Sequence, residues 1–169
     1  MASLGDVFRE LNTLKAGGIL RDYAIGGATA SLFYTEPSRT YDVDVFVVLP
    51  PSNDKALAPL APLYAWAASA DYRTEAEHIL IHEVPVQFLP AHNALAEDAV
   101  ATAITHDYQG IPVRVIGPEH LAALALQAGG AKRRERAWQL LESGTVNRVA
   151  LKALLKRHGI AARIDDDEA

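Results

Sequence analysis

Asp42 and Asp44 stand two residues apart in Tyr41-Asp-Val-Asp-Val-Phe-Val-Val48, a run rich in the β-branched and aromatic residues that favour an extended backbone. On a strand, residues i and i+2 leave the same face. The spacing therefore projects the two carboxylates together and sets Val43, Val45 and Val47 on the other face. Neighbouring carboxylates repel one another unless a cation lies between them. A hard divalent ion, Mg²⁺ or Mn²⁺, suits the pair, because it takes oxygen ligands and completes its shell with water and phosphate. The fourteen residues 28–41 separate this pair from Gly26-Gly27, which follows a short apolar run and opens a helix-like segment, Ala28-Thr-Ala-Ser31. A glycine pair lets the backbone approach a ligand closely, and the free N–H groups of a helix start suit phosphate. Each feature alone has an ordinary explanation: a solvated strand end or a pairing of Asp42 with Arg39, and a plain strand–helix turn. Together they predict a metal-and-phosphate site.

Several other polar residues bear on that site. Thr29 and Ser31 can donate to phosphate, or they can serve the helix itself. Arg39 can neutralise a phosphate or pair with Asp42. Lys132, Arg133, Arg134 and Arg136 form the dense basic cluster of the chain, which suits a triphosphate or an RNA acceptor as well as a solvated helix face. His78 and His82, at i and i+4, would suit zinc on a helix. They fall in a strand-like run, where they lie too far apart for one ion, so they read as polar residues on a solvent face. The remaining histidines show no ligand spacing, and Trp66 and Trp138 read as core or interface residues.

The elements that must position these residues follow from periodicity and punctuation. Leu4, Val7, Phe8, Leu11 and Leu14 recur at helical spacing up to Gly17-Gly18. A strand over 22–25, a helix over 28–34 and a strand over 41–49 come next. Residues 54–70 are alanine-rich and read as a helix whose first half Pro59 and Pro62 disturb. Residues 76–82 and 84–89 read as a hairpin turning at Glu83. A helix over 93–104, capped by Asn93, then leads to a strand over 108–116. After Gly117 the pattern is helical throughout, over 118–128, 132–143 and 149–158. The expected architecture is α+β: a mixed sheet of four or five strands with flanking helices in residues 1–117, a helical segment packed on it in 118–160, and a solvated acidic tail in 161–169.

The composition narrows the function classes. A chain of 169 residues is long enough for one domain with a real core. A net charge of −5 argues against broad electrostatic binding of nucleic acid without excluding a local basic groove. Cysteine is absent, which excludes disulfides and cysteine-held zinc and fits a reducing cytoplasm. No apolar run reaches membrane-spanning length, and the first residues lack the pattern of a signal peptide, so no membrane association is expected.

The glycine pair, short helix and Asp42-x-Asp44 strand resemble the nucleotidyltransferase fold of the DNA polymerase beta superfamily. Within it the chain resembles the AbiEii/AbiGii toxin-type nucleotidyltransferases and their small relatives. The resemblance lies in Gly26-Gly-Ala-Thr-Ala30, in Arg39-Thr-Tyr-Asp-Val-Asp-Val45 with its threonine shifted one place, and more loosely in Val115–Leu121 and Ala131–Arg136. It implies that Gly26 and Gly27, with the basic position at Lys132-Arg133, hold the phosphates of a nucleoside triphosphate, and Thr29 and Arg39 join them as nucleotide-binding candidates on their own positions. It implies that Asp42 and Asp44 bind Mg²⁺ or Mn²⁺, and that NMP passes to an acceptor such as tRNA or a protein. A cognate antitoxin is an implied partner.

Three departures bear on that implication. The third carboxylate of active members falls on Gln87, the lysine of the first helix after the sheet on Ala125, and the basic-acidic pair on Lys132-Arg133, with no acid. Gln87 can touch a metal or an acceptor through its carbonyl but cannot accept a proton. Glu75, Glu77 and Glu83 are the acids near enough in sequence to replace it. The alternative reading is therefore a degenerate nucleotide-binding or partner-binding module, and a third is a domain with no ligand site.

Overall fold

The computed structural model describes residues 4–35, 42–51 and 59–164. Arg39 and the acidic run 165–168 lie outside the described residues. The chain opens with α1 (Leu4–Ala16), whose buried Val7, Phe8, Leu11 and Leu14 are the predicted apolar stripe. Strand β1 (Asp22–Gly26) runs directly into the single-turn helix α2 (Gly27–Ser31), and β2 (Val43–Val48) returns antiparallel to β1. Helix α3 (Ala61–Ser69) begins after Pro59. Pro62 falls in its first turn, where a missing N–H costs no hydrogen bond.

Strands β3 (Thr74–Glu75), β4 (His78–Ile81) and β5 (Val84–Pro90) form a meander. The β4–β5 turn is His82-Glu83, both at positive φ (50° and 66°), the two-residue geometry that matches strand twist. Helix α4 (Ala94–Ala101) is capped as expected, the Asn93 side chain accepting from the Ala96 N–H at 2.8 Å.

The sequence reading carried α4 on to residue 104. Instead the chain turns at Thr102, and Ile104–Tyr108 forms β6, paired antiparallel with β7 (Ile111–Val115) through Gln109-Gly110. Ile104, Thr105 and Asp107 are exposed, so the strand carries no apolar alternation to mark it. Its backbone partners exist only once β7 is in place. Helices α5 (Pro118–Ala128), α6 (Ala131–Glu142) and α7 (Arg148–Arg157) complete the chain.

Among the described residues seven strands form one mixed sheet in the order β3-β4-β5-β2-β1-β7-β6, against the four or five expected. The pairs β2–β5 and β1–β7 are parallel and the rest antiparallel. The two extra strands, β3 and β6, are the edge strands, where propensity and burial signals are weakest. Tyr23, Ile25, Val43, Val45, Val86 and Val113 from the sheet join Leu140, Leu151 and Leu155 of the last helices in one buried cluster. Among the described residues no helix is long and apolar enough to cross a membrane.

A polar knot holds the end of β1 away from Gly26. The Arg114 guanidinium reaches Asp22 at 2.9 Å and the Val100 carbonyl at 2.8 Å, joining β7, β1 and α4. The buried Tyr23 hydroxyl donates to Asn12 of α1 at 2.6 Å, and Lys15 also reaches Asp22. Because one side chain ties three elements, Arg114→Ala is expected to lower the unfolding free energy by about 2 kcal/mol, read by urea denaturation.

Candidate functional site

The site starts from the position of β2 in the sheet. Asp44 lies opposite Gly26 of β1 on one side and opposite Gln87 of β5 on the other. Gln87 in turn lies opposite His78 of β4, and His78 opposite Glu75 of β3. Directly opposed residues of adjacent strands share a face. One row, Gly26–Asp44–Gln87–His78–Glu75, therefore crosses five strands on a single face.

Both glycines are demanded by what β2 places against them. A Cβ on Gly26 would stand 2.6 Å from the Phe46 ring, and one on Gly27 would collide with the Asp44 Oδ2. Gly27 also has φ +57°, which side-chain-bearing residues rarely adopt. Thr29 does not face outward: it is buried, and its hydroxyl donates to the Asp42 carbonyl at 3.1 Å, fixing the entry to β2. The Ser31 hydroxyl turns back to the Gly27 carbonyl at 3.3 Å.

Asp44 is half-buried, and its carboxyl is pushed up from the usual range, first by burial. Arg136 opposes that rise most strongly, Asp42 adds to it, and His78 and Arg133 oppose it more weakly. Burial thus outweighs two arginines and a histidine, which leaves a carboxylate whose ionised form a further cation would favour.

Asp44 and Gly27 border a cavity of about 240 Å³. Phe46 supplies part of its floor, Leu124 and Ala125 of α5 its wall, and Arg133 and Arg136 of α6 its cationic side. Ala125, the position where the resemblance places a lysine, presents only a methyl. The positive charge comes from the next helix instead.

The structure brings together Gly26, Gly27, Asp42, Asp44, Gln87 and Arg133. Lys132 is exposed and does not border the cavity. Of the three nearby glutamates, Glu83 sits in the β4–β5 turn in an ion pair with Arg73, and Glu77 in the β3–β4 turn. Glu75 continues the row beyond His78. The sequence reading placed Arg136 only within the general basic cluster and set His78 on a solvent face. Arg136 is one helical turn from Arg133 and so shares its face, a signal present in the spacing. His78 has its Nε2 3.6 Å from Asp42 Oδ2, and its place depends on the register of a hairpin. Among the described residues no group of three or more His, Asp or Glu is clustered so as to hold a metal by itself.

Comparison with solved structures gives this arrangement a setting. An antigenic nucleotidyltransferase-like protein from Paracoccidioides brasiliensis superposes with a TM-score of 0.57 at 17% identity, over 92% of this chain and 88% of that one. ANT(2'')-Ia in complex with adenylyl-2''-tobramycin gives 0.56 at 14% identity, over 94% and 99%. The solution structure of the antibiotic-resistance factor ANT(2'')-Ia gives 0.50 at 17% identity, over 92% and 96%. The fold is nucleotidyltransferase-like. No family model matches the chain and no curated sequence does, so the likeness reaches this fold and no narrower group. In the nucleotidyltransferase-like fold seen here, α5 and α6 close one side of the cavity whose other side is Gly27, Asp44, Phe46 and Leu89.

Two outcomes follow from the Gly27–Asp44 contact. Gly27→Ala is expected to cost about 2–3 kcal/mol, and Asp44→Gly in the same chain to recover part of that, read as a coupling in a double-mutant cycle. The sign of the Asp44 shift sets the second. A carboxyl whose folded pKa is raised stabilises the fold below its unfolded value, and that contribution is lost as pH rises through the folded value. Asp44→Asn should therefore raise the melting midpoint at pH 7, with the gain vanishing as the pH falls toward 4, the ordinary aspartate value.

Proposed function

We propose that the protein binds a nucleoside triphosphate with Mg²⁺ or Mn²⁺ beside Gly27 and Asp44, and transfers NMP to an acceptor. The observation that carries the reading is the Asp44 carboxylate held against a Cβ-free Gly27 at a cavity whose far side bears Arg133 and Arg136. Asp42 and Asp44 fit a hard divalent ion: they offer oxygen donors from one strand face, and burial leaves Asp44 short of compensating charge. When bound, such an ion neutralises phosphate charge and stabilises the attacking and leaving oxygens.

The chain's own residues supply the rest. Arg133 and Arg136 pair with phosphate oxygens through planar guanidinium forks. Phe46, Leu124 and Ala125 offer an apolar wall to base and ribose. The Gly26-Gly27 backbone meets phosphate, and Arg39 stands near it in sequence. Gln87 can orient an acceptor hydroxyl but takes no proton.

The acceptor we favour is an RNA such as tRNA, or a protein, in a cytoplasmic toxin-type enzyme with an antitoxin partner. The basic α6 surface, Lys132 to Arg136, supports a polyanionic acceptor. A specific observation favours a second reading. Gln87, opposite Asp44 in the ladder, is where active members of the resembled family carry an acid. On that reading the protein is a degenerate module that binds nucleotide or a partner without transfer.

Melting curves with each of the four NTPs and Mg²⁺ or Mn²⁺ test both. A rise in the midpoint that Asp44→Ala abolishes is expected, and no shift with any NTP would end both readings. Labelled NTP is then offered with bulk tRNA, a protein mixture or tobramycin. Transfer that Gln87→Asp raises by roughly 100-fold supports the first reading, whereas binding with no transfer in either form leaves the second.

A further inference from the structure

His78 and His82, read from sequence as one solvent-facing pair, are separated by the fold. His82 lies in the turn, within 3.1 Å of the Tyr72 hydroxyl and 3.7 Å of Glu10. His78 belongs to the Asp44 row. Its side chain is only 20% exposed, and it points its Nε2 at Asp42 Oδ2, on a carboxylate that is 53% exposed. At 3.6 Å the two atoms are beyond hydrogen-bonding distance, so they face one another across a gap. Two ligands of a single ion, with metal–ligand bonds of 2.0–2.2 Å, lie roughly 2.8–3.8 Å apart for bond angles between 90° and 120°. The separation, which is also within ion-pair range, therefore matches that of two ligands of one ion.

An imidazole nitrogen in the donor set changes which ion is held. Mg²⁺ demands near-ideal octahedral oxygen coordination and dehydrates reluctantly, whereas Mn²⁺, the first member of the first-row series that binds mixed nitrogen and oxygen sites, accepts an imidazole beside carboxylate and water. Gln87, on the strand between Asp42 and His78, supplies no charged oxygen to offset that preference.

We propose that His78 is a metal ligand: Asp42 Oδ2 and His78 Nε2 hold a divalent transition ion, and the site binds Mn²⁺ in preference to Mg²⁺. Water and triphosphate oxygens fill the remaining positions, in keeping with the absence of a three-residue metal cluster among the described residues. The proposal rests on the reading of the neighbouring Gly27–Asp44 cavity, which neither Asp42 nor His78 borders, as a metal–nucleotide site. It turns the loss of an acid at position 87 from a simple defect into an exchange of an oxygen ligand for a nitrogen ligand on the neighbouring strand.

Pulsed electron paramagnetic resonance on the full chain tests it, with Mn²⁺ alone and with Mn²⁺ plus each of the four NTPs. The expected result is ¹⁴N coupling from an imidazole that disappears in His78→Asn and persists in His82→Asn. Titration should show Mn²⁺ binding weakened about tenfold by His78→Asn with Mg²⁺ binding little changed, and His78→Asp should move the preference toward Mg²⁺. Bound Mn²⁺ with no nitrogen coupling in the unmodified chain would overturn the proposal whatever the variants do, and so would coupling that survives His78→Asn. No Mn²⁺ binding with or without any NTP would overturn it together with the metal–nucleotide reading. Coupling without NMP transfer would uphold the ligand and overturn transfer, whereas transfer without coupling would do the reverse.

Discussion

The contact between Gly27 and the Asp44 carboxylate sets most of what surrounds it. β1 and β2 pair with Gly26 opposite Asp44, and the chain leaves β1 through a residue at φ +57° directly against that carboxylate. Phe46, two residues on and on the same face, lies over Gly26 closely enough to exclude a Cβ. Two strands can meet this tightly only where side chains are absent. The glycine pair is thus a packing requirement in its own right, and under the proposed function the bare backbone that admits Asp44 is also the bare backbone a phosphate approaches.

The charge balance of the site depends on elements far apart in sequence. Asp44 comes from a strand near the middle of the sheet, with Asp42 just before its first residue, and Arg133 and Arg136 come from the second of three C-terminal helices. α5 lies between them in the chain and gives the cavity an apolar wall. Even so, burial raises the Asp44 carboxyl more than the cations lower it. The site is electrostatically incomplete by itself, the condition under which a carboxylate pair gains most from a bound cation.

Elements with a dense internal signal were legible before any coordinates. α1 carries its stripe at helical spacing, β2 its alternating valines, α4 its asparagine cap, and Gly129-Gly130 the break between α5 and α6. β3 and β6 were not legible, because they lie at the sheet edges with their side chains largely in solvent. Their strand character comes from backbone pairing with a neighbour, which leaves no mark on side-chain type. At the site, the Asp pair and the glycines stood out because two weak local signals coincided. His78 did not, although its position follows from a single fact. A turn at His82-Glu83 pairs Ile81 with Val84 and so, three steps along the ladder, His78 with Gln87.

By itself the sequence determined the face on which Asp42 and Asp44 project, the need for an unencumbered backbone before them, and the α+β order of elements. These depend on residues within one strand or one turn, where the two-residue period of an extended chain and the steric freedom of glycine leave little choice. Tertiary structure decided which cations meet Asp44, that Thr29 holds the backbone of Asp42 rather than a ligand, that Lys132 stands away from the cavity while Arg136 borders it, and that His78 faces Asp42. Each of these requires two segments to meet in one register or at one helix face. The free energy that selects the register comes from burying the valines and leucines on the opposite side of the sheet, not from the polar residues that the register brings together.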